Sequence, residues 1–215
     1  MGFIFAAKRL LGGLMLIVKG YHGTTQSRAR ELVAGSPFEF SANSGDWLGR
    51  GIYFWQDAPG RALVWARYRH RDSGETPAVV EVEITLENCL DFFDVRTYRE
   101  VRQRYPEFQA FESRLDPPIS QAALKVEKGK AFLDGDTPTT DIRTRKAIHN
   151  YRDRAFIDWY VEVLANRGYE VKTVRGIFLD GTALFTESFL FDWSHAQIAV
   201  LNHDVLSPPK IWNGG

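Results

Sequence analysis

Three short segments of the sequence combine residue types that take part in ligand chemistry. They are Tyr21-His-Gly-Thr24, Gly49-Arg-Gly-Ile-Tyr-Phe54 and His195-Ala-Gln-Ile-Ala-Val200. Imidazole, hydroxyl and amide groups form hydrogen bonds, and aromatic rings stack on planar ligands.

The Gly-x-Gly pair is not a dinucleotide-binding fingerprint, because the third glycine and the following helix are missing. His195 and His203 have no carboxylate or third ligand that completes a metal site.

In order and spacing, the segments resemble the His-Tyr-Glu signature of the ADP-ribosyltransferase fold, in the clade of diphtheria toxin and the poly(ADP-ribose) polymerases. His22-Gly23 resembles the His-Gly pair of that family's first strand. Gly49-Arg-Gly-Ile-Tyr-Phe54 resembles its Gly-x-Gly-Ile-Tyr-Phe, which is the most specific match. Gln197 occupies the position of the family's third-strand glutamate. The resemblance spans the chain from about His22 to about Leu201, with firm matches in these three segments.

The resemblance implies a role in NAD⁺ binding for several residues. Gly23 is expected to bind the nicotinamide carboxamide through its backbone, His22 the adenosine ribose, and Tyr53 one face of the nicotinamide ring. Trp65 is the candidate for the second aromatic residue, although it lies one residue late, and Tyr68 is the alternative. The full set expected to bind NAD⁺ is His22, Gly23, Thr24, Ser41, Asn43, Tyr53 and Trp65.

The implied reaction breaks the bond between nicotinamide and ribose through an oxocarbenium-like state. The residues expected to act in it are His22, Tyr53, Glu187 and Gln197. A glutamine at position 197 can form the hydrogen bond but supplies no negative charge. The enzyme would then transfer a single ADP-ribose, or its catalysis would be weak or absent. Glu187 occupies the region that contacts the acceptor in related toxins, where it either activates the acceptor or is merely solvated.

The pattern of the chain predicts an α+β fold, with an ADP-ribosyltransferase-like split sheet and a helical insertion. Strands are predicted at 16–21, 52–55, 79–86, 174–179, 183–186 and 197–201, and helices at 26–34, 58–68 and 143–166. Residues 98–133 are predicted to be helical in parts, broken by Pro106 and Pro117-Pro118. We expect residues 1–14 to form an N-terminal extension, with Met15 as the natural start, and residues 15–215 to form a single domain.

Composition places the chain among ordinary globular proteins and narrows its partners. Lys plus Arg and Asp plus Glu are both 27, so the chain lacks the basic excess that is typical of general nucleic-acid binders. The single cysteine, Cys89, excludes an intrachain disulfide. Lys8 and Arg9 interrupt the apolar N-terminal stretch, which favours a cytoplasmic protein without a membrane span.

The leading interpretation is a mono-ADP-ribosyltransferase that consumes NAD⁺ as substrate, needs no metal and modifies a protein side chain or a nucleic-acid base. It would be of a kind found among bacterial toxins and phage-defence effectors, and by analogy a toxin would have a neutralising antitoxin partner. The alternatives are a catalytically weak module that binds NAD⁺ or ADP-ribose, a 2′-phosphotransferase of related fold, and a purely structural protein. Taken singly, His22, Tyr53, Trp65 and Gln197 are each compatible with ordinary structural roles.

Overall fold

The structure, a computed structural model, describes residues 16–41, 43, 46–116 and 142–214, and only the backbone of residues 142–149. The predicted extension 1–14 and the Pro117-Pro118 break therefore lie outside the described residues. The described part is α+β, as predicted, with a mixed seven-stranded sheet and four α-helices.

The strands follow the spatial order β4-β5-β6-β2-β1-β3-β7, and all neighbours are antiparallel except β4 and β5. The strands are β1 (Ile17–Thr25), β2 (Ile52–Gln56), β3 (Pro77–Thr85), β4 (Cys89–Asp91), β5 (Thr173–Phe178), β6 (His195–Val200) and β7 (Lys210–Ile211). The helices are α1 (Gln26–Val33), α2 (Pro59–Arg69), α3 (Val95–Glu112) and α4 (Ile142–Ala165).

The sheet opens between its two central strands. β1 pairs with β3 over nine residue pairs, but with β2 over only two, Gly20 with Gln56 and Tyr21 with Trp55. Continuing that antiparallel register by two residues would place Gly23 opposite Tyr53, yet the strands no longer pair there. The separation therefore begins directly beside the two residues that the resemblance implies for nicotinamide binding.

The two faces of the sheet are covered by different helices, because successive strand residues point to opposite faces. α1 packs Ala29 and Leu32 against a cluster that includes Phe54 and Val80. On the opposite face, α2 packs beside Tyr21 and Trp55, while α3 and α4 bury a separate aromatic cluster around Phe108, Phe156 and Tyr160. Side chains from both groups, Trp55 and Tyr53 among them, line one cleft.

Several predicted boundaries require correction. β1 continues through His22 and Gly23 to Thr25, so the His-Gly pair lies within the strand rather than after it. α3 runs through Pro106 without a break, since tertiary packing of the buried Phe108 outweighs the lost backbone hydrogen bond. Residues 183–186 form no strand, and the segment between β5 and β6 makes only an isolated bridge from Ala183 to Phe191.

Candidate functional site

A cleft of about 760 Å³ lies where β1 and β2 separate. This volume falls within the ~300–1,000 Å³ range of small-molecule and cofactor sites. The predicted site residues that line it are His22, Gly23, Thr24, Ser41, Asn43, Tyr53, Trp65 and Gln197. These residues come from positions 22 to 197 of the chain, and the sheet topology brings them to one place.

Gly23 is required at its position by the packing of α2. A Cβ atom added there would clash with the carbonyl oxygen of Ala62 and lie 3.3 Å from Cβ of Ala66. The predicted role of Gly23 also calls for glycine, because its backbone must approach the ligand closely. The structure gives an independent reason, which is that the helix bordering the cleft lies directly against the strand.

Tyr53 is fixed by its hydroxyl group, which accepts a hydrogen bond from Leu48 N at 2.9 Å and donates one to Gly49 O at 2.8 Å. Burial raises the pKa of Tyr53, with the nearby Asp46 carboxyl as the next cause, so the phenol remains protonated. Gly49 makes the tight turn before β2 with a φ of +82°, a backbone conformation that favours glycine. The loop and the tyrosine thus hold each other in place, with the ring lining the cleft.

His22 bridges the opened strands through its ring. Its Nδ1 lies 2.9 Å from the carbonyl oxygen of Tyr53, and a carbonyl only accepts, so Nδ1 carries the proton. Burial is the largest cause that lowers the pKa of His22, which favours the neutral ring. Phe38 and Phe54 pack against it at ring-centroid distances of 5.5 and 5.6 Å. The neutral Nε2 is consequently an acceptor, suited to a hydroxyl donor such as that of a ribose.

Aromatic rings from α2 and β2 form one wall of the cleft. Trp65 is 37% exposed and lies 5.9 Å from the ring of Trp55 and 6.2 Å from that of Tyr68. Tyr68, the alternative to Trp65, also lines the cleft. Exposed aromatic surface beside a cleft is available for stacking on a planar ligand.

Gln197 is oriented by Trp47, a residue that the sequence motifs did not single out. Its Oε1 accepts a hydrogen bond of 2.6 Å from Nε1 of Trp47. The indole reaches this position because it lies over Gly176, the β5 residue paired with Gln197, where an added Cβ would approach Cη2 of Trp47 to 2.6 Å. The side-chain amide of Gln197 therefore has a fixed orientation, and its NH₂ group can still donate a hydrogen bond.

Ser41 and Asn43 belong to the loop that borders the cleft. The Ser41 backbone N–H donates to Gly51 O at 2.9 Å, and the Asn43 side-chain amide donates to Ser41 Oγ at 2.8 Å. Nη1 of Arg154, on α4, donates to Asn43 O at 2.6 Å. The loop is thereby tied both to β2 and to α4.

Glu187 is the one predicted site residue that does not line the cleft. It is exposed, has a φ of +66°, and lies in the segment between β5 and β6. That segment also presents the exposed side chains of Phe185, Phe189 and Leu190. The structure therefore places Glu187 on an exposed loop, outside the described residues that line the cleft.

The sequence reasoning missed two charged residues of the cleft, Asp46 and Arg61. Asp46 is 7% exposed, and burial raises its pKa to about 6. The Arg61 guanidinium pairs with Asp180 at 3.2 Å and lies 4.4 Å over the ring of Trp193. The only available signal for Asp46 was its position in Asp46-Trp-Leu48, directly before the Gly-x-Gly pair.

Within the described part of the chain, no group of three His, Cys, Asp or Glu side chains is arranged to hold a metal ion. No helix in that part has the length and apolar character that crossing a bilayer requires.

In comparison with known proteins, the chain matches no family model and shows no significant match to a curated protein or to a solved structure.

Proposed function

We propose that this chain is a mono-ADP-ribosyltransferase that cleaves NAD⁺ and transfers one ADP-ribose to a macromolecular acceptor. The main support is that Gly23 and Tyr53 both line a cleft of about 760 Å³, which lies where β1 and β2 separate. The resemblance of the three sequence segments to the ADP-ribosyltransferase signature supplies the identity of the ligand.

In the proposed binding mode, the nicotinamide ring lies against Tyr53, with Trp65 available for its second face. The Nε2 lone pair of His22 accepts a hydrogen bond from a ribose hydroxyl. These assignments use the cleft-lining positions of all three residues and the tautomer that the Tyr53 carbonyl imposes on His22. Positioning of this kind lowers the barrier because cleavage of the glycosidic bond requires little covalent chemistry from the protein.

Gln197 determines how many ADP-ribose units are transferred in this proposal. Its fixed amide positions the nicotinamide ribose by hydrogen bonding, but it brings no charge to the site. In the related polymerases, chain elongation depends on a glutamate at this position. We therefore expect a single ADP-ribose on each acceptor site.

The acceptor is a protein side chain or a nucleic-acid base. Incubation of the full chain with NAD⁺ labelled in its adenylate and a cell lysate tests both the activity and the acceptor class. Label that protease digestion releases identifies a protein acceptor, and label that nuclease releases identifies a nucleic acid. Absence of any labelled product with the wild-type chain, in lysates of several bacteria, contradicts the proposal.

A second candidate function is a module that binds NAD⁺ or ADP-ribose without turnover, and the uncharged Gln197 is the observation that favours it. Release of free nicotinamide from NAD⁺ separates the two functions, since only the enzyme produces it. Nicotinamide release that disappears in Tyr53→Ala supports the enzyme. Saturable NAD⁺ binding without release supports the binding module.

The family resemblance also supports the proposal that the chain acts as a toxin or defence effector with a neutralising protein partner. Expression of the wild-type chain in a bacterial host should then arrest growth, whereas Tyr53→Ala should not. Equal growth with both proteins contradicts the toxin proposal without affecting the proposed enzymatic activity.

A further inference from the structure

Three of the described residues that line the cleft carry a carboxylate, and the three differ sharply in exposure and pairing. Glu39 has a side chain that is 85% exposed and pairs with Arg28 at 3.3 Å. Asp180 pairs with Arg61 at 3.2 Å. Asp46 differs from both because its side chain is only 9% exposed. Negative charge in such a protected position acts over short distances with little screening by solvent.

We infer that Asp46 supplies the negative charge that Gln197 lacks, and that it stabilises the positive charge developing on the ribose as nicotinamide leaves. This inference rests on the proposed function. In the step concerned, the bond from ribose C1′ to the nicotinamide nitrogen breaks and its electron pair leaves with the nitrogen. C1′ then bonds to an acceptor oxygen or nitrogen, whose proton passes to solvent. Asp46 stays ionised throughout.

The surroundings of Asp46 leave part of its carboxylate uncommitted. The Ser41 side chain hydrogen-bonds the carboxyl group. Oδ2 has no hydrogen-bond partner among the residues that the structure describes, and it lies 4.0 Å from Nη1 of Arg154. Arg154 donates instead to Asn43 O at 2.6 Å and to Asp158 at 3.5 Å. Arg154 is therefore shared, and it neutralises Asp46 only in part.

Asp46 also lies next to the residues that hold the reacting group in the proposed binding mode. It directly precedes Trp47, which orients Gln197, and its charge acts on the hydroxyl group of Tyr53. The charged and titratable groups that face it are Arg154 and Asp158 from α4 and Tyr53 from β2. Among the described carboxylates that line the cleft, Asp46 is the closest in sequence to Tyr53 and the one whose charge acts on the Tyr53 hydroxyl.

Burial raises the pKa of Asp46 to about 6, so the carboxyl is ionised above that pH in spite of the cost of desolvation. A buried, incompletely paired carboxylate in a cleft is a recurrent mark of a functional group. The pH dependence follows directly. Turnover should fall as the pH decreases through about 6, because protonation removes the stabilising charge.

The test measures release of nicotinamide from NAD⁺, with water as the acceptor, in the wild-type chain and in Asp46→Asn. The asparagine keeps the shape and the hydrogen bond to Ser41 but removes the charge. We expect kcat to fall about 10- to 100-fold with little change in KM, because the lost interaction develops only in the transition state. The decrease in turnover through about pH 6 should be absent from the variant.

Two further variants separate a catalytic role from a structural one. Asp204→Asn removes a carboxylate that pairs with Lys172 at 2.9 Å and does not line the cleft, and it should retain wild-type turnover. Gln197→Glu, introduced into the Asp46→Asn chain, returns a carboxylate to the cleft and should recover a substantial part of the lost kcat. A residue that only supports the fold would not be replaced in this way.

Each outcome has a defined meaning. Wild-type kcat and an unchanged pH profile in Asp46→Asn would overturn the inference, as would a loss of activity that Gln197→Glu does not recover. If the wild-type chain releases no nicotinamide at any pH, either with water as the acceptor or with a cell lysate added, the proposed function itself fails. The two failures are thus distinguishable, because the first requires an active wild-type enzyme.

Discussion

At the scale of single residues, Asp46 is held where its charge costs stability. Its folded-state pKa is raised to about 6 from 3.8, so the native state holds the proton more tightly than the unfolded chain. Stability therefore falls as the pH rises from about 4 to about 6, and the full cost is present at neutral pH. An ionised group retained under this penalty is consistent with selection for function over stability.

We predict that Asp46→Asn is more stable than the wild type at pH 8, by about 1–3 kcal/mol, because it removes the desolvated charge. The advantage should shrink toward pH 4, where the wild-type carboxyl is protonated. Urea unfolding of both proteins at the two pH values measures the difference. A variant that is less stable than the wild type at pH 8 would show that the carboxylate is a structural anchor.

Tyr53 presents a second residue-scale test, since its ring and its hydroxyl group have separable roles. Tyr53→Phe keeps the ring but leaves Leu48 N and Gly49 O without their partner. We expect it to lower the free energy of unfolding by about 1–3 kcal/mol and to weaken NAD⁺ binding less than Tyr53→Ala does. Equal loss of binding in the two variants would assign the effect to the loop rather than to the ring.

At the scale of elements, the contact between β1 and α2 forms one wall of the cleft. Gly23→Ala places a methyl group against the backbone of Ala62, which cannot give way without moving the helix. We predict a loss of about 1–3 kcal/mol in the free energy of unfolding, the usual cost of overpacking. Thermal unfolding measures it.

Gly60→Ala is the matched control for this substitution. Gly60 lies on α2, the helix that Gly23 contacts, and a Cβ added at Gly60 meets no atom within 4 Å. Alanine should stabilise the protein by about 0.5–1 kcal/mol at this position through the lower entropy of the unfolded chain. Two alanine variants with equal unfolding temperatures would contradict the assigned contact.

The same elements show how far the sequence could predict this structure. Local signals located most helices and strands: Thr25 caps α1 by accepting from Arg28 N, and Gly35 follows that helix with a φ of +104°. The short pairing of β1 with β2 joins residues about thirty positions apart. The hydrophobic periodicity of the sequence therefore gives no signal of where the two strands separate. Pro106 misled the prediction because local propensity was outweighed by tertiary packing.

The candidate site was predicted to a similar degree and for similar reasons. Residues within the three recognised segments, such as His22, Tyr53 and Gln197, do line one cleft. Asp46 and Trp47 were overlooked as site residues because their roles arise from contacts with Arg154 and Gln197, more than a hundred positions away. Such partnerships exist only in the folded chain.

At the scale of the whole molecule, the cleft lies between the two central strands of the sheet rather than at an edge. A ligand bound there contacts residues of β1, β2, β6 and α2 together. Because a ligand bound only by the native state stabilises it by mass action, NAD⁺ should raise the stability of the entire domain. A single cooperative transition should shift as a unit.

The most direct test of the central claim is thermal unfolding of the wild-type chain with and without NAD⁺, beside two tyrosine variants. At an NAD⁺ concentration of about 100 Kd, the stabilisation should be about 2.7 kcal/mol, which corresponds to several degrees in a domain of this size. Tyr53→Ala should lose the shift, whereas Tyr98→Ala, an exposed position outside the cleft, should retain it. No shift in the wild type, or the same shift in all three proteins, would contradict NAD⁺ binding between β1 and β2.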